Sequence, residues 1–197
     1  MINLTADLHL YHDNIRGYSG RPYDSLFEMH EAFAWNWNNV VSHDDTTYIL
    51  GDVTYGTVED TISFLNRLNG KKNVVPGNHD RIHPMRSAKR KKVEWMEAYL
   101  EAGIGILWYE GELPEDPRFW LNHLPYEGDT QPDERFPEWR PDREEVGDRV
   151  LLHGHVHELF RRTKEKTLNV GVDVNNFTPV SLEEICREFS MVYKPFA

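Results

Sequence analysis

The chain has 197 residues, with 33 acidic and 22 basic side chains and a formal net charge of −11. This length suits one domain over residues 1–197 with a substantial core, and six tryptophans in so charged a chain argue against disorder. The acidic balance opposes non-specific binding to nucleic acid or to an anionic membrane, because both need a basic surface.

Strands alternate with helices in the first half of the chain. Apolar runs predict strands at 1–7, 47–50 and 73–75, and a later one at 150–152, and each run leads directly into a polar motif. Apolar residues at three- and four-residue steps predict helices over 26–40, 58–68 and 85–99. This alternation predicts parallel strands with helices outside and ligands gathered beyond the carboxyl ends of the strands.

The pattern changes after Gly103. Alternating apolar residues at 104–108 and runs at 118–121 and 166–174 predict a second, mixed sheet packed on the first, followed by a closing helix from about Leu182. Between them, residues 127–148 contain nine acids and three prolines. We predict a long surface loop that walls or covers a site, with a solvated linker as the alternative.

The only cysteine, Cys186, excludes an internal disulfide and lies in a pattern typical of the apolar side of a helix. The N-terminus lacks the pattern of a signal peptide, and no apolar run approaches the length that spans a membrane. These features predict a cytoplasmic protein.

Polar motifs follow the apolar runs in a fixed order. Asp-x-His and Gly-Asp are each common by themselves, whereas Gly-His-x-His is more specific. The set is Asp7-Leu8-His9, Gly51-Asp52, Gly77-Asn78-His79-Asp80, His123 and Gly154-His155-Val156-His157. Alternate residues of an extended segment face the same side, which would bring the paired side chains of the first and last motifs to one point each. The complete set therefore indicates a metal site.

Carboxylates, imidazoles and one amide suit two divalent cations roughly 3.5–4 Å apart, which clamp the oxygens of a displacement at phosphorus. Asp52 is the natural bridging carboxylate. Two dications and two carboxylates leave a formal charge of +2, which would attract phosphate and acidify a bridging water to hydroxide. Imidazole-rich sites favour transition metals over Mg or Ca; we expect Mn, with Fe, Zn, Ni or Co as alternatives.

As a set, these motifs resemble the calcineurin-like metallophosphoesterase superfamily over residues 7–157. The resemblance implies an α/β (α+β) fold, a four-layer α/β/β/α sandwich of two mixed sheets flanked by helices, and hydrolysis of phosphate esters. It also implies one ion bound by Asp7, His9, Asp52 and His157, and a second bound by Asp52, Asn78, His123 and His155. The stretch 168–181 is similar to that of small bacterial and bacteriophage members.

His79 is the histidine left for chemistry, either as the general acid for the leaving oxygen or as a donor to the phosphoryl group. The alternative is a histidine that only orients Asn78. In the protein phosphatase branch the second motif continues to Gly-Asp-x-x-Asp-Arg-Gly, and this chain lacks both added residues. The support of His79 is therefore open, with Asp80 as a candidate.

Substrate contacts are predicted at Asn78 and His79, with His12 and Arg81 as weaker candidates. Arg81 opens a segment, 81–92, that contains six basic residues and no acid. This segment would either steer an anionic substrate toward the site or form a solvated helix face.

An intact Asp-x-His, here with His9, tends to accompany phosphodiesterase activity in this superfamily, including activity toward 2′,3′-cyclic nucleotides. The leading hypothesis is therefore a phosphodiesterase for a small phosphate ester. A phosphomonoesterase or single-strand nuclease is the enzymatic alternative, and a non-catalytic scaffold is the alternative of another class. The sequence predicts no oligomeric state.

Overall fold

The computed structural model describes residues 1–129, 135–163 and 166–194. Strands and helices alternate along most of these residues, as the apolar pattern predicts. In chain order they are β1 (Ile2–Thr5), α1 (Ile15–Tyr18), α2 (Leu26–Val40), β2 (Thr46–Leu50), α3 (Val58–Leu65), β3 (Lys71–Val75), α4 (Lys89–Glu101), β4 (Gly105–Ile106), β5 (Glu110–Leu113), β6 (Asp116–Asn122), α5 (Arg143–Val146), β7 (Val150–His153), β8 (Thr167–Asn169), β9 (Val180–Ser181) and α6 (Leu182–Glu188).

The first sheet has the strand order β4-β3-β2-β1-β9, in which β9 is antiparallel to β1 and the other neighbours are parallel. Helices α2, α3 and α4 cover one face with an apolar core that includes Phe33, Phe64 and Tyr99. The caps of α2 and α3 explain their starts, because Ser25 and Thr57 each accept a backbone N–H three residues ahead.

The second sheet has the order β5-β6-β7-β8, with β5 and β6 antiparallel and the other pairs parallel. Its inner face, including Phe119 and Leu152, packs against Leu4 and Leu50 of the first sheet. The buried side of α6 completes this core and carries Cys186, as its sequence pattern predicts. The two mixed sheets with flanking helices confirm the predicted architecture.

The outermost layer is thin. On the outer face of the second sheet, Trp120 and Leu151 pack with Tyr126 and with Val146 of the one-turn helix α5. This helix and a 3-10 turn over Pro137–Trp139 lie within the predicted loop 127–148, whose residues 130–134 are outside the described part. No described helix has the length and apolar character needed to cross a membrane.

One sheet assignment and two element boundaries differ from the predictions. Strand β4 joins the first sheet beside β3, whereas we assigned residues 104–108 to the second sheet. The strand predicted over 166–174 ends at Asn169, whose side chain accepts the N–H of Gly171 and turns the chain toward β1. Helix α4 begins at Lys89 instead of near 85, because the preceding residues form turns around Pro84, which has no N–H to donate.

Candidate metal centre

The predicted ligands lie at the carboxyl ends of strands from both sheets. Asp7 follows β1, Asp52 follows β2, and Asn78 follows β3, while the four histidines come from β1, β6 and β7. Backbone bonds hold the first two segments side by side, because the N–H of Asp7 donates to Gly51 at 3.1 Å and that of His9 to Asp52 at 2.9 Å. The fold thus gathers the motifs at one edge.

The two ligands of the first motif and the two of the last motif lie on backbone with left-handed φ angles. From the sequence we expected extended backbone, in which alternate side chains face the same side. Residues with a left-handed φ include Asp7 at 59°, His9 at 47° and Asp52 at 52°, and also His155 at 71° and His157 at 47°. Non-glycine residues adopt this region rarely and at a cost of order 1–3 kcal/mol in the least favourable cases. Such strain is concentrated at functional sites.

Two overlapping groups of side chains are placed to hold cations. The ligand atoms of Asp7, His9 and His157 lie within 4.8 Å of one another, as do those of Asp7, Asp52 and His123. Asp7 belongs to both groups, and Oδ2 of Asp52, in the second group, is 3.5 Å from Nε2 of His9 and 3.5 Å from Nε2 of His123. Both buried carboxylates therefore lie close to imidazoles of the two groups.

The remaining predicted ligands adjoin His123. Oδ1 of Asn78 lies 3.0 Å from Nε2 of His123, and the rings of His123 and His155 have centroids 5.3 Å apart. Asn78 and His123 are buried, whereas His155 is partly exposed. The structure therefore brings all seven predicted ligands into one cluster.

The buried polar atoms of the cluster fit metal ions. Within the described residues, Oδ1 of Asp7 and both ring nitrogens of His9 are buried without a hydrogen-bond partner. An unpaired buried polar group costs about 1–3 kcal/mol, so native proteins usually satisfy such atoms. Oδ1 of Asp7 and Nε2 of His9 lie 3.9 Å apart, and a carboxylate oxygen and an imidazole nitrogen are donors that transition-metal ions accept.

Glycines allow the close approach of these segments. A Cβ on Gly154 would lie 2.5 Å from Oδ2 of Asp7, and one on Gly77 would meet Oδ1 of Asp52. Both carboxylates also receive backbone N–H groups at 2.9 Å, Asp7 from His155 and Asp52 from His79. A side chain at Gly77 or Gly154 would therefore collide with a carboxylate of the cluster.

A second layer of contacts orients the imidazoles, and the sequence did not reveal it. Nδ1 of His123 lies 2.8 Å from the carbonyl oxygen of Leu50, and Nδ1 of His157 lies 2.9 Å from Oδ2 of Asp173. Both contacts leave Nε2 for a cation. The Arg21 side chain is fully buried and donates two hydrogen bonds, of 2.7 and 3.0 Å, to the Asp173 carboxylate.

Arg21 also contacts the segment that follows β1, where it donates to the carbonyl oxygens of Asp7 at 2.7 Å and Leu8 at 3.0 Å. One guanidinium therefore joins the Asp7 segment to the Asp173 carboxylate that orients His157. This network has no local sequence motif, because 152 residues separate Arg21 from Asp173.

Burial and close charges shift the pKa values in the metal-free protein. Burial raises the pKa of Asp7 to about 6, although nearby histidines oppose the shift. For Asp52, burial acts in the same direction, but His123 and other histidines outweigh it and hold the pKa well below the usual range. Burial would lower the pKa of His123, yet the Asp52 charge and hydrogen bond raise it to about 10.

His79 lies beside the cluster without belonging to either ligand group. Its Nε2 is 3.9 Å from Oδ2 of Asp52, and its ring is 38% exposed toward the cleft above. Its Nδ1 forms a short hydrogen bond with the hydroxyl of Tyr55. Burial lowers the pKa of His79, with the positive charges of His123 and Arg86 adding to the effect and Asp52 opposing it.

The structure places Asp80 differently from our expectation. Its buried carboxylate accepts the backbone N–H groups of Asp52 at 2.9 Å, Val53 at 3.0 Å and Gly77 at 2.8 Å. These bonds tie the second motif to the third, and Tyr55 provides the contact to His79. The reason is geometric: the turn at 77–80 directs the Asp80 side chain back into its own loop.

A cleft of about 490 Å³ opens over the cluster. His12 and His79 line it, as do the aromatic rings of Tyr18 and Tyr55. Arg135, within the segment 127–148, also lines the cleft. Arg81 is exposed, whereas Arg86 of the same basic segment folds inward and donates to the carbonyl oxygen of Asn78.

The chain is similar to known proteins over most of its length. The family model for calcineurin-like phosphoesterases matches residues 2–170. Gene 66 protein of Mycobacterium phage L5 is 33% identical over 180 residues, which cover 86% of this chain and 84% of the relative. An uncharacterised protein from Methanocaldococcus jannaschii is 30% identical over 194 residues, which cover 94% and 89% of the two chains.

Two solved structures share the fold. A protein of unknown function from Aquifex aeolicus has a TM-score of 0.69 and 24% identity, covering 95% of this chain and 98% of its own. Phosphopantetheinyl hydrolase from Mycobacterium tuberculosis has a TM-score of 0.51 and 15% identity, covering 89% and 90%. Together with the ligand cluster, the family match shows that the chain belongs to the calcineurin-like phosphoesterases, which use divalent metals to act on phosphate esters.

Proposed function

We propose that this protein is a dinuclear metal-dependent phosphodiesterase that hydrolyses small phosphodiesters, with 2′,3′-cyclic nucleotides among its substrates. The position of Asp52 carries the proposal. Its Oδ2 lies 3.5 Å from an imidazole of each ligand group, so one carboxylate serves both sides of the cluster. A single structural ion would not require a shared carboxylate.

We assign one ion to Asp7, His9, Asp52 and His157, and the other to Asp52, Asn78, His123 and His155. These residues would hold two ions, whose charge would polarise the phosphoryl oxygens and make hydroxide available near neutral pH. Asp52 would contribute to both sites. Arg21 and Asp173 would fix the position of Asp7 relative to His157 within the first site.

His79 is the group left to serve the leaving oxygen. As an imidazolium, it would pass the Nε2 proton to that oxygen while the P–O bond breaks and the bonding electrons move to oxygen. Its partial exposure in the cleft and its distance of 3.9 Å from Asp52 support this role. Asp80 would act indirectly. Its carboxylate accepts the backbone N–H groups of Asp52 and Gly77, and these bonds hold the turn that carries His79 beside Asp52.

The cleft favours a substrate with a planar group beyond the phosphorus. Tyr18 is 72% exposed and Tyr55 is 42% exposed, and both line the cleft with His12. Stacking of a base on an aromatic side chain is worth about 1–3 kcal/mol. Arg135 adds a positive charge on the wall for an anionic ester.

The test compares rates on four substrates after loading with Mn²⁺: bis-p-nitrophenyl phosphate, p-nitrophenyl phosphate, 2′,3′-cyclic AMP and a short oligonucleotide. We expect the two small diesters to react faster than the monoester and the oligonucleotide. Faster turnover of the monoester would indicate a phosphomonoesterase, and faster turnover of the oligonucleotide a nuclease that uses the basic segment 81–92.

The metal requirement needs its own measurement. Metal analysis and anomalous scattering should give two ions per chain, with Asp52 between them. One ion, or full activity without added metal, would contradict the dinuclear assignment. No turnover of any ester by the two-metal protein would favour a non-catalytic scaffold.

A further inference from the structure

The hydrogen bond between Tyr55 and His79 joins the cleft wall to the histidine left for chemistry. The Tyr55 hydroxyl contacts Nδ1, while Nε2 of the same ring faces Asp52 and the ligand cluster. The two ring nitrogens therefore have separate environments, because Nδ1 contacts Tyr55 and Nε2 faces the ligand cluster.

The Tyr55 ring is itself held in place. It stacks on His12 with centroids 4.0 Å apart and an angle of 15° between the rings. Its backbone N–H donates to the carbonyl oxygen of Leu10 at 2.8 Å, and Thr54 donates to the same oxygen at 3.2 Å. Because Gly56 follows, the loop passes close to the Tyr11 ring, where a Cβ would lie only 2.6 Å away.

A phenol suits an imidazole that gains and loses a proton. When the Tyr55 O–H donates to Nδ1 of a neutral imidazole, the ring hydrogen lies on Nε2. Toward an imidazolium, the Tyr55 oxygen accepts from Nδ1–H, and Nε2 still carries a hydrogen. In both states the nitrogen facing the cluster is a donor, and no negative charge is added beside Asp52.

We propose that Tyr55 is a positioning residue that holds the His79 ring with a hydrogen on Nε2, directed at the leaving oxygen of the substrate. The inference rests on the proposed function, since His79 needs a leaving oxygen to serve. In the transfer, Nε2 gives its proton to the departing oxygen, and Nδ1 keeps its hydrogen on the Tyr55 oxygen.

The test is a double-mutant cycle with Tyr55→Phe and His79→Ala. Phenylalanine keeps the ring beside His12 and removes the hydroxyl. We expect kcat on bis-p-nitrophenyl phosphate to fall about 10-fold for Tyr55→Phe, the loss associated with one hydrogen bond, with KM and metal content unchanged. In the His79→Ala background, the same substitution should change kcat less than 2-fold.

Tyr11→Phe is the matched control. Tyr11 also loses a hydroxyl that bonds at 3.0 Å, but to the carbonyl oxygen of Asp60 and not to His79. Its kcat should remain within about 2-fold of the wild-type value. A diester with a poorer leaving group, methyl phenyl phosphate, should show a larger loss with Tyr55→Phe than the p-nitrophenyl ester, because it depends more on proton donation.

A readout independent of activity is the nitrogen NMR spectrum of His79 in the metal-free protein at pH 8. The wild type should show the hydrogen on Nε2, and Tyr55→Phe should show a mixture of the two tautomers. The assignment would be overturned if Tyr55→Phe lowered kcat by the same factor with and without His79. It would also be overturned if the substitution changed KM but not kcat, or if it left the His79 tautomer unaltered. If the wild type hydrolyses no ester, the proposed function fails instead, and the NMR experiment still tests the hydrogen bond.

Discussion

Asp173→Asn tests whether the buried network behind His157 sets the affinity for metal. Asp173 accepts from Arg21 at 2.7 and 3.0 Å and from His157 at 2.9 Å, so both of its oxygens are used. Asparagine is nearly isosteric but supplies one oxygen. If that oxygen stays with Arg21, the amide N–H₂ faces Nδ1 of His157, and the imidazole hydrogen moves to Nε2, where it blocks ligation.

The structure sets the size of the effect. Loss of such a partner typically weakens metal binding 10–100-fold, or about 1.4–2.7 kcal/mol. The Arg21 and Asp173 side chains are 0% and 2% exposed, and breaking a buried ion pair costs about 3–5 kcal/mol. Since asparagine keeps part of the bonding, we expect about 3 kcal/mol, or a fall of about 6–12 °C in Tm for a chain of this size.

Competitive titration with a metal indicator measures the first effect, and thermal unfolding of the metal-free protein measures the second. Asp116→Asn is the matched control, because Asp116 also binds an arginine, Arg118, through bonds of 2.8 and 2.5 Å, but at the start of β6. It should leave metal affinity unchanged. Wild-type affinity in Asp173→Asn would refute the claim that Asp173 orients a ligand.

Three further changes follow from the cluster. Asp52→Ala removes the shared carboxylate, so metal analysis should find fewer than two ions and activity should be lost; two retained ions would contradict bridging. In Gly154→Ala the new Cβ would lie 2.5 Å from the Asp7 carboxylate, and metal content should fall, whereas Gly17→Ala, with open space around it, should retain wild-type metal content. The raised pKa of His123, about 10 against an ordinary 6.5, stabilises the metal-free fold fully below pH 6.5, and this contribution is lost as pH rises through 10. Because ligation needs the neutral imidazole, calorimetry in two buffers at pH 7.5 should show about one proton released per chain from His123 on metal binding, and affinity should rise with pH; zero release would contradict this.

The sequence predicts that the candidate ligands come together, because they follow apolar runs that form neighbouring strands. Asp7, Asp52 and Asn78 follow three neighbouring strands of one sheet, and parallel strands bring such residues to the same edge. Local order in the chain is therefore sufficient to place them. The same reasoning predicts the helices of the first half, whose apolar residues keep a helical period.

The supporting residues could not be predicted in this way. Arg21 and Asp173 are 152 residues apart in the chain, and Arg135 lines the cleft although no sequence motif marks it. The sheet assignment of residues 104–108 is wrong for a related reason. Alternation predicts a strand but not its sheet, and the two residues of β4 pair with β3 because that strand offers their backbone groups a partner.

Backbone strain and unpaired polar atoms coincide in this protein, and their coincidence has one physical explanation. Asp7 and His9 have left-handed φ angles, and within the described residues they also carry buried atoms without hydrogen-bond partners. Each feature opposes folding, so a sequence selected for the metal-free fold would be expected to relieve them. Ions that bind the folded chain and not the unfolded one supply the missing interactions and stabilise it by linkage. The strained strand ends are therefore best understood as a site arranged for its cations before they bind.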